Sequence, residues 1–138
     1  MNSVGVSGSL VGPVVRATLG VNFIYLGLTQ KLLNGGQALA VVAKYDLTSV
    51  VPVSAELWVV GAGLAEMAVG VLLIAGVATR GVAAVAFVLF TLTLFGLPDD
   101  PVLAHISLFG LASVLMVTGS GPFALSVSSV TQRLSPTT

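Results

Sequence analysis

Apolar residues run along this chain in long continuous stretches, not in the alternating or one-sided patterns of a water-facing protein. Crossing a hydrocarbon core of roughly 30 Å takes about 20 mostly apolar residues in a helix. Four stretches meet or approach that length, at about 10–28, 55–77, 81–97 and 102–118. The first is interrupted by Arg16 and Asn22, and the second has Glu66 at its middle. The third carries no charge, and the fourth holds His105 near its start. A membrane β-barrel would show apolar and polar residues in alternation, which these runs lack. The pattern predicts an all-α fold, an integral membrane four-helix bundle forming one domain over 1–138, with a polar tail at 119–138.

The connections refine this layout. Residues 29–54 form the longest, with Asn34-Gly35-Gly36, Lys44, Asp46 and Pro52. Its middle, QALAVVAKYDL, reads either as an amphipathic helix lying on the membrane face, with Lys44 and Asp46 toward water, or as an ordered loop of mixed character. Ala78-Thr79-Arg80 forms a tight turn, and Pro98-Asp99-Asp100-Pro101 is a helix breaker. Such short connections imply antiparallel neighbours packed side by side.

Composition supports lipid as the solvent. Of 138 residues 56% are hydrophobic and only 7% charged, against about a quarter charged in a soluble domain. Five basic and five acidic residues cancel, so nothing points to nucleic acid as a partner. Cysteine is absent, which excludes disulfides, thiolate metal sites and thiol relays. The opening MNSVGVSGSLVG lacks a basic n-region and reads as a retained start. The arginines Arg16, Arg80 and Arg133 fall on the side of the termini and Lys31 and Lys44 on the other, so the positive-inside rule predicts a multi-pass cell-membrane protein with cytoplasmic termini.

Each ionisable group at membrane depth needs a reason. Arg16, Gly20, Phe23, Gly27 and Gln30 or Lys31 recur every three or four residues and share one helix face. Glu56, Gly63, Glu66 or Met67, and Gly70 form a matching stripe on the second stretch. Glycines allow close backbone approach in membrane helices, so the two stripes are expected to meet. At about 1.5 Å rise per residue, Arg16 lies about 9 Å, Asn22 about 18 Å and Glu66 about 16 Å inside one boundary. Lys31, Glu56 and His105 fall near the opposite boundary. Two polar layers result, and Arg16 is placed to reach Glu66.

Simpler roles stand beside each of these. Arg16 with Glu66 can be a structural ion pair that fixes register. Lys31 can extend its ammonium to the interface, and His105 can cap the turn before it. Asp99 and Asp100 suit N-caps; Trp58 and Tyr25 suit interfacial or packing aromatics. One histidine with scattered carboxylates makes no transition-metal site, so no metal is expected. No nucleotide-binding, hydrolase or haem motif is present, so a redox role would depend on a bound quinone or a partner subunit.

In order and spacing the chain resembles the DoxX family of small four-span membrane proteins. The residues that carry the resemblance are Arg16, Gly20, Phe23, Gly27 and Lys31; Glu56 with Gly61, Gly63 and Glu66; Leu73, Gly76, Thr79 and Arg80; His105; and GSGPFALS at 119–126. Where the family often has an acid after the closing leucine, this chain has Ser126 and Val127. The resemblance implies a redox setting, because the family includes the membrane subunit of thiosulfate:quinone oxidoreductases and members linked to sulfur or oxidative-stress metabolism. On that footing Arg16, Lys31, Asn22 and His105 are candidate quinone contacts, and Glu66, Glu56 and His105 candidate proton-handling groups. The alternatives are a non-catalytic anchor or assembly subunit docking a partner protein, and a small transporter subunit. The glycine-lined faces suggest a homo-oligomer or a complex with a partner subunit.

Overall fold

The structure, a computed structural model, describes residues 10–96, 102–121 and 124–125. The PDDP breaker with Asp99 and Asp100, the first nine residues, Ser126, Val127 and Arg133 lie outside the described residues. Among the described residues six α-helices follow one another: α1 (Val11–Tyr25), α2 (Gly35–Lys44), α3 (Leu47–Val50), α4 (Ala55–Ala75), α5 (Thr79–Gly96) and α6 (Val102–Thr118). Between α1 and α2 the chain continues as a π-helix over Leu26–Leu33.

That continuation extends the first helix past residue 28, the expected end of the first span. The physical reason is internal satisfaction of polar groups. Thr29 Oγ1 donates to the Tyr25 carbonyl at 2.6 Å, and the Thr29 carbonyl accepts from the Asn34 backbone N–H at 3.1 Å and side-chain amide at 2.7 Å. Of the two readings of 37–47, the helix is what forms, as α2, with Val42 buried. It ends at Lys44, two residues before Asp46, whose φ of 47° keeps the helical path from continuing. Ser54 caps α4 by accepting from the Leu57 N–H, and Glu56 sits in its first turn, where the helix dipole favours an acid.

The four long helices form a ring in which α1 packs on α4, α4 on α5, α5 on α6 and α6 on α1. Leu19, Phe23, Val69, Leu73, Ala83, Ala86, Phe90, Ala112 and Leu115 fill its centre. Across the diagonal the rings of Phe23 and Phe90 stack with centroids 4.9 Å apart. Along the α1–α4 seam the backbones touch at glycines, as the matched stripes predict. A Cβ at Gly20 would lie 2.6 Å from the Gly70 carbonyl oxygen, and one at Gly27 2.6 Å from that of Gly63. In lipid no hydrophobic force drives helices together, so close packing of this kind holds them.

The outward faces are apolar. Val21, Leu57, Leu64, Val85, Leu92 and Val117 are each at least half exposed. Val11–Leu33 and Ala55–Ala75 are long and apolar enough to cross a membrane, with only 33% and 28% of their apolar windows buried. A core helix of a soluble protein would be mostly buried, whereas these present their apolar faces outward as membrane helices do.

At the end of α4, Gly76 takes φ +74°. Its N–H donates to Leu73 and the Val77 N–H to Leu72, both at 3.1 Å, which closes the helix in a Schellman motif. The returning tail adds a bond from the Leu125 N–H to the Ala75 carbonyl at 3.0 Å. A side chain at Gly76 would strike Arg16 Nη1 and Ala124. Gly76→Ala is therefore expected to cost about 1–3 kcal/mol through backbone strain and displaced neighbours. Thermal unfolding in mild detergent, followed by circular dichroism, checks this; an unchanged midpoint would contradict it.

Candidate functional site

The α1–α4 seam gathers the polar groups, but not in the pairs that helical depth alone predicts. The Glu66 carboxylate is held by Lys31, whose Nζ donates to Oε1 at 2.7 Å and to Oε2 at 2.8 Å. Their side chains are 22% and 20% exposed, so the pair is largely enclosed.

Reciprocal glycines make the pair possible. A Cβ on Gly63 would sit 3.1 Å from the Lys31 Cβ, and one on Gly27 would sit 3.2 Å from the Glu66 Cβ. Each charged side chain therefore rises over the glycine of the opposite helix. Helical side chains lean toward their own N-terminus. Because the two helices run antiparallel, Lys31 and Glu66 lean toward each other and close the height between their Cα atoms.

The expected Arg16–Glu66 pair does not form. Arg16 is 2% exposed, and its guanidinium lies over Gly76. Gly76 is ten residues from Glu66, or about 15 Å along the helix. Arg16 thus sits beside the C-terminal carbonyls of α4, where the helix dipole favours a cation. The two-layer picture changes accordingly: Lys31, placed at the outer boundary, joins Glu66 from the middle layer, while Arg16 belongs to the opposite end.

The remaining candidates separate. Glu56 is exposed, yet it lines one small cleft with Lys31, Leu32, Gly35, Leu39, Val59 and Val60. Asn22 is half-buried and no hydrogen bond joins it to the pair; its Oδ1 is buried without a partner. His105 stands edge-on to the Phe90 ring at 6.2 Å, on the α5–α6 side of the bundle. Trp58 is half-buried, and its Nε1 is buried without a hydrogen-bond partner. Among the described residues no group of three metal-ligating side chains assembles.

The π-helical turn is the feature that sequence reasoning missed. It carries two of the cleft residues, Lys31 and Leu32. Such turns are rare and concentrate at functional sites. Nothing in GLTQKLLN distinguishes it from an ordinary helix. The Gly27/Lys31 and Gly63/Glu66 spacings, by contrast, were a readable signal for the reciprocal cradle.

An all-helical bundle with apolar outer faces and an ion pair enclosed between two helices defines a small helical membrane protein. It belongs to the DoxX family: the family model matches residues 13–105, which is 93 of the 138 residues. The match contains Arg16, Lys31, Glu56 and Glu66 and ends at His105; the 119–126 segment lies beyond it. No curated protein and no solved structure matches the chain.

Proposed function

We propose that this DoxX-family protein is a small membrane subunit of a redox system that binds a quinone headgroup beside the Lys31–Glu66 pair. The observation that carries the reading is that pair: two opposite charges enclosed within a membrane bundle, cradled by glycines, with Lys31 opening onto a cleft. An intramembrane ion pair is costly to build and is commonly tied to proton or ligand handling. The cleft fits the group in kind. Leu32, Leu39, Val59 and Val60 give apolar walls, while Lys31 supplies a donor and Glu56 a carboxylate. Its volume of about 170 Å³ is below the range for whole-ligand pockets. It suits a single ring, with an apolar tail lying over the exposed Leu57 and Val60.

A quinone takes up electrons and protons together when reduced. In this reading Lys31 donates a hydrogen bond toward a ring oxygen, Glu66 holds the ammonium in position, and Glu56 exchanges protons with the aqueous edge. His105, Arg16 and Asn22 have no part in it. The four long helices each cross the bilayer, which returns both ends to one face. The Arg16 and Arg80 end is the cytoplasmic one, in keeping with the positive-inside rule. Sulfur or oxidative-stress metabolism is the setting that the family resemblance favours.

The single tryptophan, Trp58, lies between the cleft residues Glu56 and Val59 and provides a direct readout. A short-chain quinone should quench its fluorescence saturably in the native protein. Lys31→Met should weaken that binding about tenfold, the loss of one charge-assisted hydrogen bond. Identical quenching in Lys31→Met and Glu66→Gln would sink the assignment. A protein that binds no quinone but retains a stable protein partner would instead be an assembly subunit.

A further inference from the structure

The opposite end of the bundle carries a separate set of unused groups. The N-terminus of α5 adjoins the C-terminus of α6, and Ala78, Thr79, Arg80, Thr118, Gly119 and Ser120 line a shallow groove between them. Thr79 lines this groove although it is only 1% exposed, so it forms part of the floor. Its Oγ1 is buried with no hydrogen-bond partner. A buried hydroxyl without a partner is uncommon and costly, and it calls for an explanation.

Three further features point to the same ligand chemistry. The first turn of α5 leaves backbone N–H groups without helical acceptors, and its positive dipole end favours an anion. Arg80 is exposed and stands at the groove: its Nη2 donates to the Val117 carbonyl at 3.3 Å, and its Nε lies 3.2 Å from where a Gly119 Cβ would be. That single bond leaves most of the guanidinium's five donors for a ligand. Charge is also segregated. Arg16 reaches Gly76 at this end, whereas the chain's five acids are Asp46, Glu56, Glu66, Asp99 and Asp100. None of them belongs to the 76–81 or 117–121 segments that build this end.

We infer that the groove at Thr79, Arg80 and Gly119 binds a phosphate group, with Thr79 Oγ1, the first N–H groups of α5 and the Arg80 guanidinium as its donors. The proposal is independent of the Lys31–Glu66 site. At a membrane boundary the source is an anionic lipid headgroup or free phosphate, and both present the same oxygens. A bound phosphate would satisfy the Thr79 hydroxyl and place its charge between an arginine and a helix N-terminus.

The test uses the full chain in mild detergent, with three probes: phosphatidylglycerol, a neutral phosphate-free glycolipid and inorganic phosphate. Native mass spectrometry reads binding, and thermal unfolding reads stabilisation. Phosphatidylglycerol should bind and raise the midpoint while the glycolipid does not; the same response to inorganic phosphate alone would support the site with free phosphate as its source. Thr79→Val and Arg80→Gln should each weaken binding about tenfold. Without ligand, Thr79→Val should unfold at the same or a higher temperature, because it removes an unpaired hydroxyl at constant shape. Undiminished binding in both variants, equal binding of the glycolipid, or a lowered unliganded midpoint in Thr79→Val would each overturn the proposal.

Discussion

Leucine in place of Gly70 is expected to separate α1 from α4 and to cost about 3 kcal/mol, the upper end for forcing extra volume into a packed interior. The reason is direct: even a Cβ at Gly70 would lie 2.5 Å from the Gly20 carbonyl oxygen and 2.7 Å from the Ile24 side chain. Backbone cannot yield as a flexible side chain does. A leucine there must therefore push the helices apart along the seam that also holds Lys31 and Glu66. Gly61 is the control on the same helix, since nothing lies within 4 Å of a Cβ there. Gly61→Leu should stay within about 0.5 kcal/mol of the native protein. Unfolding in a denaturing-detergent titration, read by circular dichroism, compares the two. Equal stability of Gly70→Leu and Gly61→Leu would mean that the helices do not meet at these glycines.

The second large effect concerns the ion pair. Removing one partner strands the other charge in a mostly apolar seam, which costs about 3–5 kcal/mol when burial is complete. With roughly a fifth of each side chain exposed, water reaches the pair, and a cost of about 1–3 kcal/mol is expected for Lys31→Met or Glu66→Met. The double variant should recover most of that loss, because two apolar side chains pack where two charges stood. A double-mutant cycle should therefore show a coupling of about 1–2 kcal/mol. The same cycle between Arg16→Met and Glu66→Met should show almost none, since those residues sit some ten residues apart along the helix axis. Strong coupling of Glu66 to Arg16 instead of Lys31 would overturn the pairing described above.

Depth reckoned at a fixed rise per residue from one boundary, at residue 10 of the first run and residue 77 of the second, treats a side chain as lying level with its Cα. Lys31 and Glu66 both depart from that assumption. Each leans toward its own N-terminus, and the antiparallel arrangement turns those two leans into an approach. The first helix also runs past residue 28, the expected end of its span, with the Thr29 hydroxyl satisfied by its own helix at the Tyr25 carbonyl.

What was legible in the sequence was whatever depends on solvent and on periodicity. Long apolar runs with few charges fix a helical membrane protein, because lipid leaves backbone groups no partner outside the helix. Recurrence at three and four residues put Gly20, Gly27, Gly63 and Gly70 on facing stripes, and those stripes do meet. The family resemblance likewise rested on residues whose spacing the sequence displays. Only the tertiary structure decided which charge meets which. That choice turns on side-chain lean, on a π-helical turn and on the contact of two backbones at glycine, none of which is a property of either helix alone. The same holds for Thr79: its unpartnered hydroxyl emerges only once α5 and α6 are packed, because burial is a relation between elements and not a property of a residue.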